Sequence, residues 1–336
     1  MYFHLVNLNQ KKQEVLTTHD LSIGYTHNGK GKTVQSALNL QLNAGKLVCL
    51  LGKNGCGKST LLRTLAGLQE ALAGTILIGN KELSTLSAQE RAQLMALVLT
   101  EGADIENTTV RQLVAIGRQP HTSWWGTLHS TDEQKIDDAL KMVHLQDLAH
   151  KNINEISDGE RQRAMLARAL VQDTPLILLD EPTAHLDLPN RVEMMLLLHR
   201  LAHQTGKAIL LSTHELDIAL QAADSIWLMS ENQPLTSGVP EDLVLNGSFG
   251  RVFDNPHYFF NTANGNFSMN YSLSKAVSLS GDKTRSYWTL RALARNGYKV
   301  TNDAENTIEA TENEWSMNGE RYHSIEKLLE QLNKIG

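Results

Sequence analysis

The chain of 336 residues has only two cysteines, Cys49 and Cys56, with six residues between them. Two such thiols build neither a disulfide framework nor a zinc site, which points to a reducing compartment. Long apolar runs are also missing. The longest, "LVCLL" from Leu47 and "MMLLL" from Met194, fall far short of the roughly 20 residues that cross a bilayer. The start, "MYFHLVNLNQKKQ", lacks the apolar core of a secretory signal. Any membrane span in the system is therefore expected from another chain. Excess positive charge is absent too: the net charge of -6 gives no general attraction to nucleic acid or to an anionic lipid surface. No internal repeat, low-complexity tract or sustained heptad pattern is visible.

What remains is an ordinary globular composition, 41% apolar and 20% charged, long enough for about two domains. A β-rich start ("EVLTTHDLSIGY", "KTVQSALNLQL") turns around Gly29 and Gly31. Short apolar runs bounded by glycine or polar residues ("KLVCLLG", "GTILIGN", "PLILLDE", "KAILLSTHE", "SIWLMS") read as strands. They alternate with the helices "KSTLLRTLAGL", "NRVEMMLLLHRLAHQ" and "LDIALQAA". Residues 101–155 read as mainly helical, with "TVRQLVAIG" and "TDEQKIDDALKMVHL" the clearest segments. Alternation of this kind predicts an α/β fold with a mostly parallel sheet covered on both faces.

Turn-forming residues in "DNPHYFFNTANGN" predict a boundary near Asn255. Beyond it, strands "NFSMNY" and "KAVSLS" precede the helix "KTRSYWTLRALARNGY", capped by Gly297. Strands "YKVTN", "NTIEATE" and "EWSMNGERYH" follow. The last helix carries Ile325, Leu328, Leu329, Leu332 and Ile335 on one face. This predicts an α+β domain over 257–336 without a chemical motif. Its expected core is Trp288, Leu290, Leu293, Leu328, Leu329 and Leu332.

Chemistry concentrates in four places. "GKNGCGKST", from Gly52 to Thr60, contains G-x-x-x-x-G-K-[ST] between a strand and a helix. Its glycines let backbone N–H groups approach phosphate; Lys58 offers a point charge to the β- and γ-phosphates, and Ser59 a hydroxyl to Mg²⁺. Cys56 within the loop reads as a space-filler. "PLILLDE" ends in Asp180, suited to a Mg²⁺ shell, and Glu181, suited to polarising an attacking water. His214 ends another strand in "LLSTHE"; taken alone it reads as a structural histidine. "ISDGERQRAMLARAL" places Ser157 three residues before Glu160 at a helix start. By itself that is a capping-box spacing, or alternatively an anion site built on Ser157 and Gly159.

Together these residues, over about Val15 to Phe253, resemble the ATP-binding cassette (ABC) family. The resemblance implies a P-loop NTPase cassette over 1–256, with a helical subdomain at about 101–170, and the α+β domain as an accessory or regulatory unit. It implies ATP held by Gly52, Asn54, Gly55, Cys56, Gly57, Lys58, Ser59 and Thr60, with Tyr25 stacked on adenine. Mg²⁺ would sit on Ser59 and Asp180, Glu181 would be catalytic, and His214 would be the switch histidine. Asp187 in "TAHLD" falls on the D-loop. "ISDGE" becomes the signature motif, in which Ser157, Gly159 and Glu160 meet the ATP of a second subunit.

Three positions depart from the family pattern. Asp158 and Glu160 replace Gly and Gln of the usual LSGGQ, and Glu101 stands near where the Q-loop glutamine, a metal contact, is expected. A carboxylate gains about 0.3–1 kcal/mol at a helix N-terminus. About 4 Å from a triphosphate oxygen, each charge pair costs about 4 kcal/mol at an effective dielectric of roughly 20. Repulsion wins, so the Asp158 side chain is expected to turn away from nucleotide.

Within the family, "TTVRQLVAIGRQPHTSWWG" resembles ATPases that import iron–siderophore, haem or cobalamin, although the α+β tail is not part of the usual importer ATPase. That resemblance implies a homodimer closing on two ATP beneath an integral membrane permease. The dimer would be served indirectly by a substrate-binding protein, on the cytoplasmic face of the inner (plasma) membrane, with no nucleic-acid partner. An exporter ATPase, or a soluble ABC mechanoenzyme, remains the alternative.

Overall fold

The computed structural model describes residues 13–27, 30–99, 107–122, 126–231 and 233–335. The first three strands, β1 (Glu14–His27), β2 (Lys30–Leu38) and β3 (Gln41–Asn43), form an antiparallel layer. Next comes β4 (Leu47–Gly52), buried at every position, and then helix α1 (Lys58–Leu65). β5 (Ala73–Ile78) and β6 (Lys81–Glu82) return to the antiparallel layer, giving the order β2-β1-β5-β6 with β3 also on β1.

α2 (Ala88–Leu94) leads into β7 (Met95–Val98). The helices α3 (Val110–Ile116), α4 (Ser130–Met142) and α5 (Asp158–Val171) then pack on one another. The remaining elements of the main sheet alternate: β8 (Leu176–Asp180), α6 (Leu188–Thr205), β9 (Ala208–Ser212), α7 (Leu216–Ala222), β10 (Ser225–Ser230) and β11 (Gln233–Gly238). The order is β11-β10-β4-β9-β8-β7, parallel except for β11 at the edge. α8 (Pro240–Leu245) and α9 (Ser248–Phe253) close this part.

The sequence explains the layering. β4, β8 and β9 are covered on both faces and carry unbroken apolar runs rather than alternation. One buried cluster joins Leu16, Leu21 and Ile23 of β1 to Leu61, Leu62 and Leu65 of α1, and on to Leu50, Leu178, Leu210 and Trp227 of the parallel sheet. Helix α1 is thus held by both sheets. In the helical part, Arg118 pairs with Asp132 at 2.8 Å and donates to the Val171 carbonyl at 2.8 Å, joining the starts and ends of these helices.

The chain divides into two compact units between Phe253 and Asp254, three residues before the boundary expected from sequence. In the second unit, β12 (Tyr258–Asn261) and β13 (Asn266–Met269) make a hairpin. β14 (Lys275–Gly281), α10 (Lys283–Arg295), β15 (Tyr298–Val300), β16 (Thr307–Ala310), β17 (Trp315–Met317), β18 (Glu320–Tyr322) and α11 (Ile325–Ile335) follow. The sheet order is β15-β14-β16-β17-β18. Its core joins Val277, Leu293, Tyr298, Ile308, Trp315, Leu328 and Leu332.

Three expectations for this unit are corrected. The stretch expected to be turns contains β12, stabilised by Tyr258 and Phe260 against Phe267 in edge contacts. "EWSMNGERYH" is a hairpin rather than one strand, because Asn318 and Gly319 take φ of 52° and 86°, the geometry of a tight two-residue turn. Trp288 and Leu290 are 54% and 45% exposed. Of the core expected on α10 only Leu293 is buried; Thr289 and Ala292 complete that face, fixed by the hydrogen bond from Trp315 Nε1 to Thr289 Oγ1.

Each unit carries its own buried cluster. A chain ended at Asn255 is therefore expected to stay soluble and keep its nucleotide affinity, while hydrolysis or dimerisation changes only modestly, within a coupling of about 1–3 kcal/mol. The fragment from Asp254 is expected to unfold cooperatively in a thermal melt. An insoluble truncated chain without nucleotide affinity would make the tail part of the ATPase core.

Candidate nucleotide-binding site

The loop from Gly52 to Lys58 turns from β4 into α1 with no room for a side chain at Gly52 or Gly57. A Cβ on Gly52 would lie 2.2 Å from the Met229 carbonyl oxygen and 2.6 Å from Cys56 Sγ. Gly57 has φ of 107°, and its Cβ would meet Val34 Cγ1 at 2.3 Å. Gly52 is thus required by the close approach of β10, and Gly57 by its positive φ and the neighbouring Val34. Lys58 is buried, and its Nζ donates to the Gly52 and Lys53 carbonyls at 2.9 and 3.3 Å. Desolvation lowers its pKa, the neighbouring carboxylates opposing the shift. Asn54 and Gly55 are exposed at the loop tip, whereas Cys56 and Thr60 are buried. Burial pushes the Cys56 thiol up, consistent with a packing residue.

Three strand ends meet this loop. Ser59 Oγ lies 3.5 Å from Asp180 Oδ1, so a hydroxyl and a carboxylate face one another where a hard cation would be held. Asp180 also accepts from Ser212 Oγ at 2.6 Å. The same hydroxyl accepts the Glu181 N–H at 3.0 Å. Glu181 sits at φ of 49°, a strained left-handed position for a residue with a side chain. That turn directs its carboxylate to His214, with Oε1 2.5 Å from Nε2. Tyr25 hydrogen-bonds through its hydroxyl to Thr60 Oγ1 and leaves its ring half exposed beside the loop.

The "ISDGE" turn is built separately. Ser157 caps α5, and its N–H and Oγ both reach Glu160 Oε2 at 2.8 Å. The Ser157 backbone N–H holds the Glu160 carboxyl below its ordinary range. The Glu160 carboxylate is therefore engaged by its own cap. Asp158 is exposed and lies 3.5 Å from Arg161 on the same helix. A Cβ on Gly159 would strike Asn190 Oδ1 at 2.8 Å. Asn190 in turn donates to Asp187 Oδ1 from its side chain, at 2.6 Å, and from its backbone, at 3.1 Å. The turn is thus packed against the start of α6. Ser157 and Glu160 bond to one another within this cap, and Asp158 pairs with Arg161 of the same helix. Glu101 lies outside the described residues.

Sequence reading missed Ser212. Its signal was weak, a hydroxyl at the end of an apolar strand. Only the register that sets Ser212 opposite Asp180 reveals its place.

Comparisons with known proteins extend this picture. A family model described as "ABC transporter" matches residues 35–184, and one described as "Iron ABC transporter C-terminal domain" matches residues 274–333. The chain is 34% identical over 289 residues to an uncharacterized ABC transporter ATP-binding protein of Methanocaldococcus jannaschii, covering 85% of this chain and 98% of the relative. It is 33% identical over 238 residues to an iron(3+)-hydroxamate import ATP-binding protein of Bacillus subtilis, covering 71% and 87%. Among solved structures it resembles cbiO1 of Clostridium perfringens, part of an ABC transporter complex, with a TM-score of 0.62 and 26% identity. That match covers 71% of this chain and 94% of cbiO1.

Ser212→Ala removes a buried hydroxyl shared by Asp180 and the Glu181 N–H. It is expected to destabilise the first unit by about 1–3 kcal/mol in a denaturant melt. Nucleotide turnover should fall more than nucleotide affinity does. A variant with unchanged melt and rate would make the hydroxyl idle.

Proposed function

Because the chain belongs to the ABC transporter ATP-binding proteins, and so is an ATPase coupled to transport, we propose that it powers a separate membrane permease importing iron–siderophore, haem or cobalamin. The observation that carries the ATPase reading is the Glu181–His214 contact at 2.5 Å, beside Lys58, Ser59 and Asp180. Glu181 holds the attacking water and draws its proton; His214 positions that carboxylate. The bare glycine loop and the buried Lys58 ammonium bind and orient the phosphates. Ser59 and Asp180 offer the oxygen set for Mg²⁺, which would neutralise phosphate charge when bound. Tyr25 offers a ring face for adenine.

The import reading is supported by the iron-transporter match over 274–333 and by the iron(3+)-hydroxamate relative. An exporter or a soluble mechanoenzyme would share the catalytic residues, but nothing in either reading accounts for that second match. Among the described residues no helix is long and apolar enough to cross a membrane, which suits a peripheral subunit at the cytoplasmic face. In a homodimer, Ser157 and the Gly159 amide of one copy complete the site of the other. Asp158, already beside Arg161, leaves that approach free of an aimed carboxylate.

Glu181→Gln is expected to keep ATP binding and slow hydrolysis by about 10²-fold or more. ATP with Mg²⁺ should then trap a dimer in light scattering, and cells relying on this variant should lose uptake of labelled ferric siderophore. Near-normal turnover removes Glu181 from its role; turnover lost with siderophore uptake intact removes the cargo.

The shared-site reading has its own test. A Lys58→Ala chain lacks a working phosphate loop, and a Ser157→Arg chain has a blocked turn. Each alone should be nearly inactive. Mixed, they form one site with both halves intact, so part of the activity should return. Mixed dimers without recovered activity would end the reading of two sites built across the dimer.

A further inference from the structure

Away from the nucleotide site, three metal-ligating side chains converge. His199 and His203 stand one turn apart near the end of α6, and Asp224 immediately precedes β10. One ligand atom from each lies within 4.8 Å of the others. His203 Nε2 is 3.0 Å from Asp224 Oδ2. Bonds of about 2.0–2.1 Å in a tetrahedron place neighbouring ligands about 3.3 Å apart, so this pair already stands at ligand spacing. The His199 ring lies 4.4 Å from that of His203, centroid to centroid. A bound cation would have to draw the His199 nitrogen in from its place within 4.8 Å of the other two ligand atoms.

The carboxylate is held in place from behind. Asp224 Oδ2 accepts the Leu47 N–H at 2.8 Å, and Oδ1 accepts Lys46 Nζ at 3.0 Å. Supports of this kind fix the direction of a metal-binding carboxylate. A plain ion pair explains His203 and Asp224, but it leaves His199 without a role. Its ring contacts His203 and takes part in no hydrogen bond or ion pair among the described residues. The two rings are tilted 39° to one another, and a shared cation would use a nitrogen from each.

We propose that His199, His203 and Asp224 form a site for a first-row divalent cation of the zinc type, with solvent as the fourth ligand. Two imidazoles and one carboxylate favour Zn²⁺, Co²⁺ or Ni²⁺ over Mg²⁺ and Ca²⁺, which prefer all-oxygen sets. The site lies at the amino ends of β4 and β10, at the opposite end of the strands from the nucleotide loop. Leu47, which holds Asp224, opens β4, and Gly52 closes it. Five residue steps of about 3.3 Å separate the two ends by roughly 16 Å. The cation would tie the end of α6 to the starts of β4 and β10.

The test uses the full chain stripped of metal. Titration with Co²⁺ should give the visible absorption of a tetrahedral nitrogen and oxygen site, saturating at one equivalent and displaced by Zn²⁺. His199→Ala and His203→Ala should each weaken binding at least tenfold while leaving ATP affinity unchanged, and His199→Ala should also leave the metal-free melting temperature unchanged. Asp180→Asn should leave the Co²⁺ signal intact, which separates this site from the one beside the nucleotide loop. A Co²⁺ signal that survives in the double histidine variant, or no stoichiometric binding at all, overturns the proposal.

Discussion

The alignment of three parallel strands, β4, β9 and β8, is the constraint on which the nucleotide site depends. Leu50 stands opposite Ser212, and Ser212 opposite Asp180, so β9 and β8 end level with one another while β4 runs two residues further, to Gly52, where the phosphate loop begins. The alignment is held by burial: nearly every side chain in these strands is apolar and enclosed, each contributing about 1.5–3 kcal/mol when fully buried. A slip by one residue would turn each side chain to the other face and separate Ser212 from Asp180. Polar groups gather only where the apolar runs stop. There Ser212 serves two neighbours at once, and the strain at Glu181 is maintained because the strand before it cannot shift.

A second set of contacts carries this arrangement outward. Arg191, one turn into α6, pairs with Glu215 at 2.7 Å, next to His214. The start of the same helix, capped by Asp187, presses on Gly159 through Asn190. One helix therefore touches both the residue after His214 and the "ISDGE" turn. A change in the Glu181–His214 contact has a short packed route to the surface that is proposed to meet a second copy.

The second unit shows where pattern reading reaches its limit. The α11 stripe was legible because Leu328 and Leu332 repeat at helical spacing and both are buried. Helix α10 was misread at Trp288 and Leu290. Large apolar side chains recur on more than one of its faces, and only the sheet beneath selects Thr289, Ala292 and Leu293. The hairpin at Asn318–Gly319 carried a strong turn signal, yet its strands of three residues are too short to show alternation.

The sequence by itself determined the chemistry of the phosphate loop. The spacing of Gly52, Gly57, Lys58 and Ser59 between a strand and a helix is local, and the backbone demands of such a turn are met by few other residues. It also determined the alternating layer order, since buried strands and amphipathic helices leave different periods in the chain. Tertiary structure alone decided which distant groups meet. Ser212 joins Asp180, His214 reaches Glu181, and Asp224 faces His203 because strand order and register bring strand ends and a helix end together at one end or the other of the sheet's central strands. Those pairings join residues about 20–35 positions apart, and no local spacing encodes them.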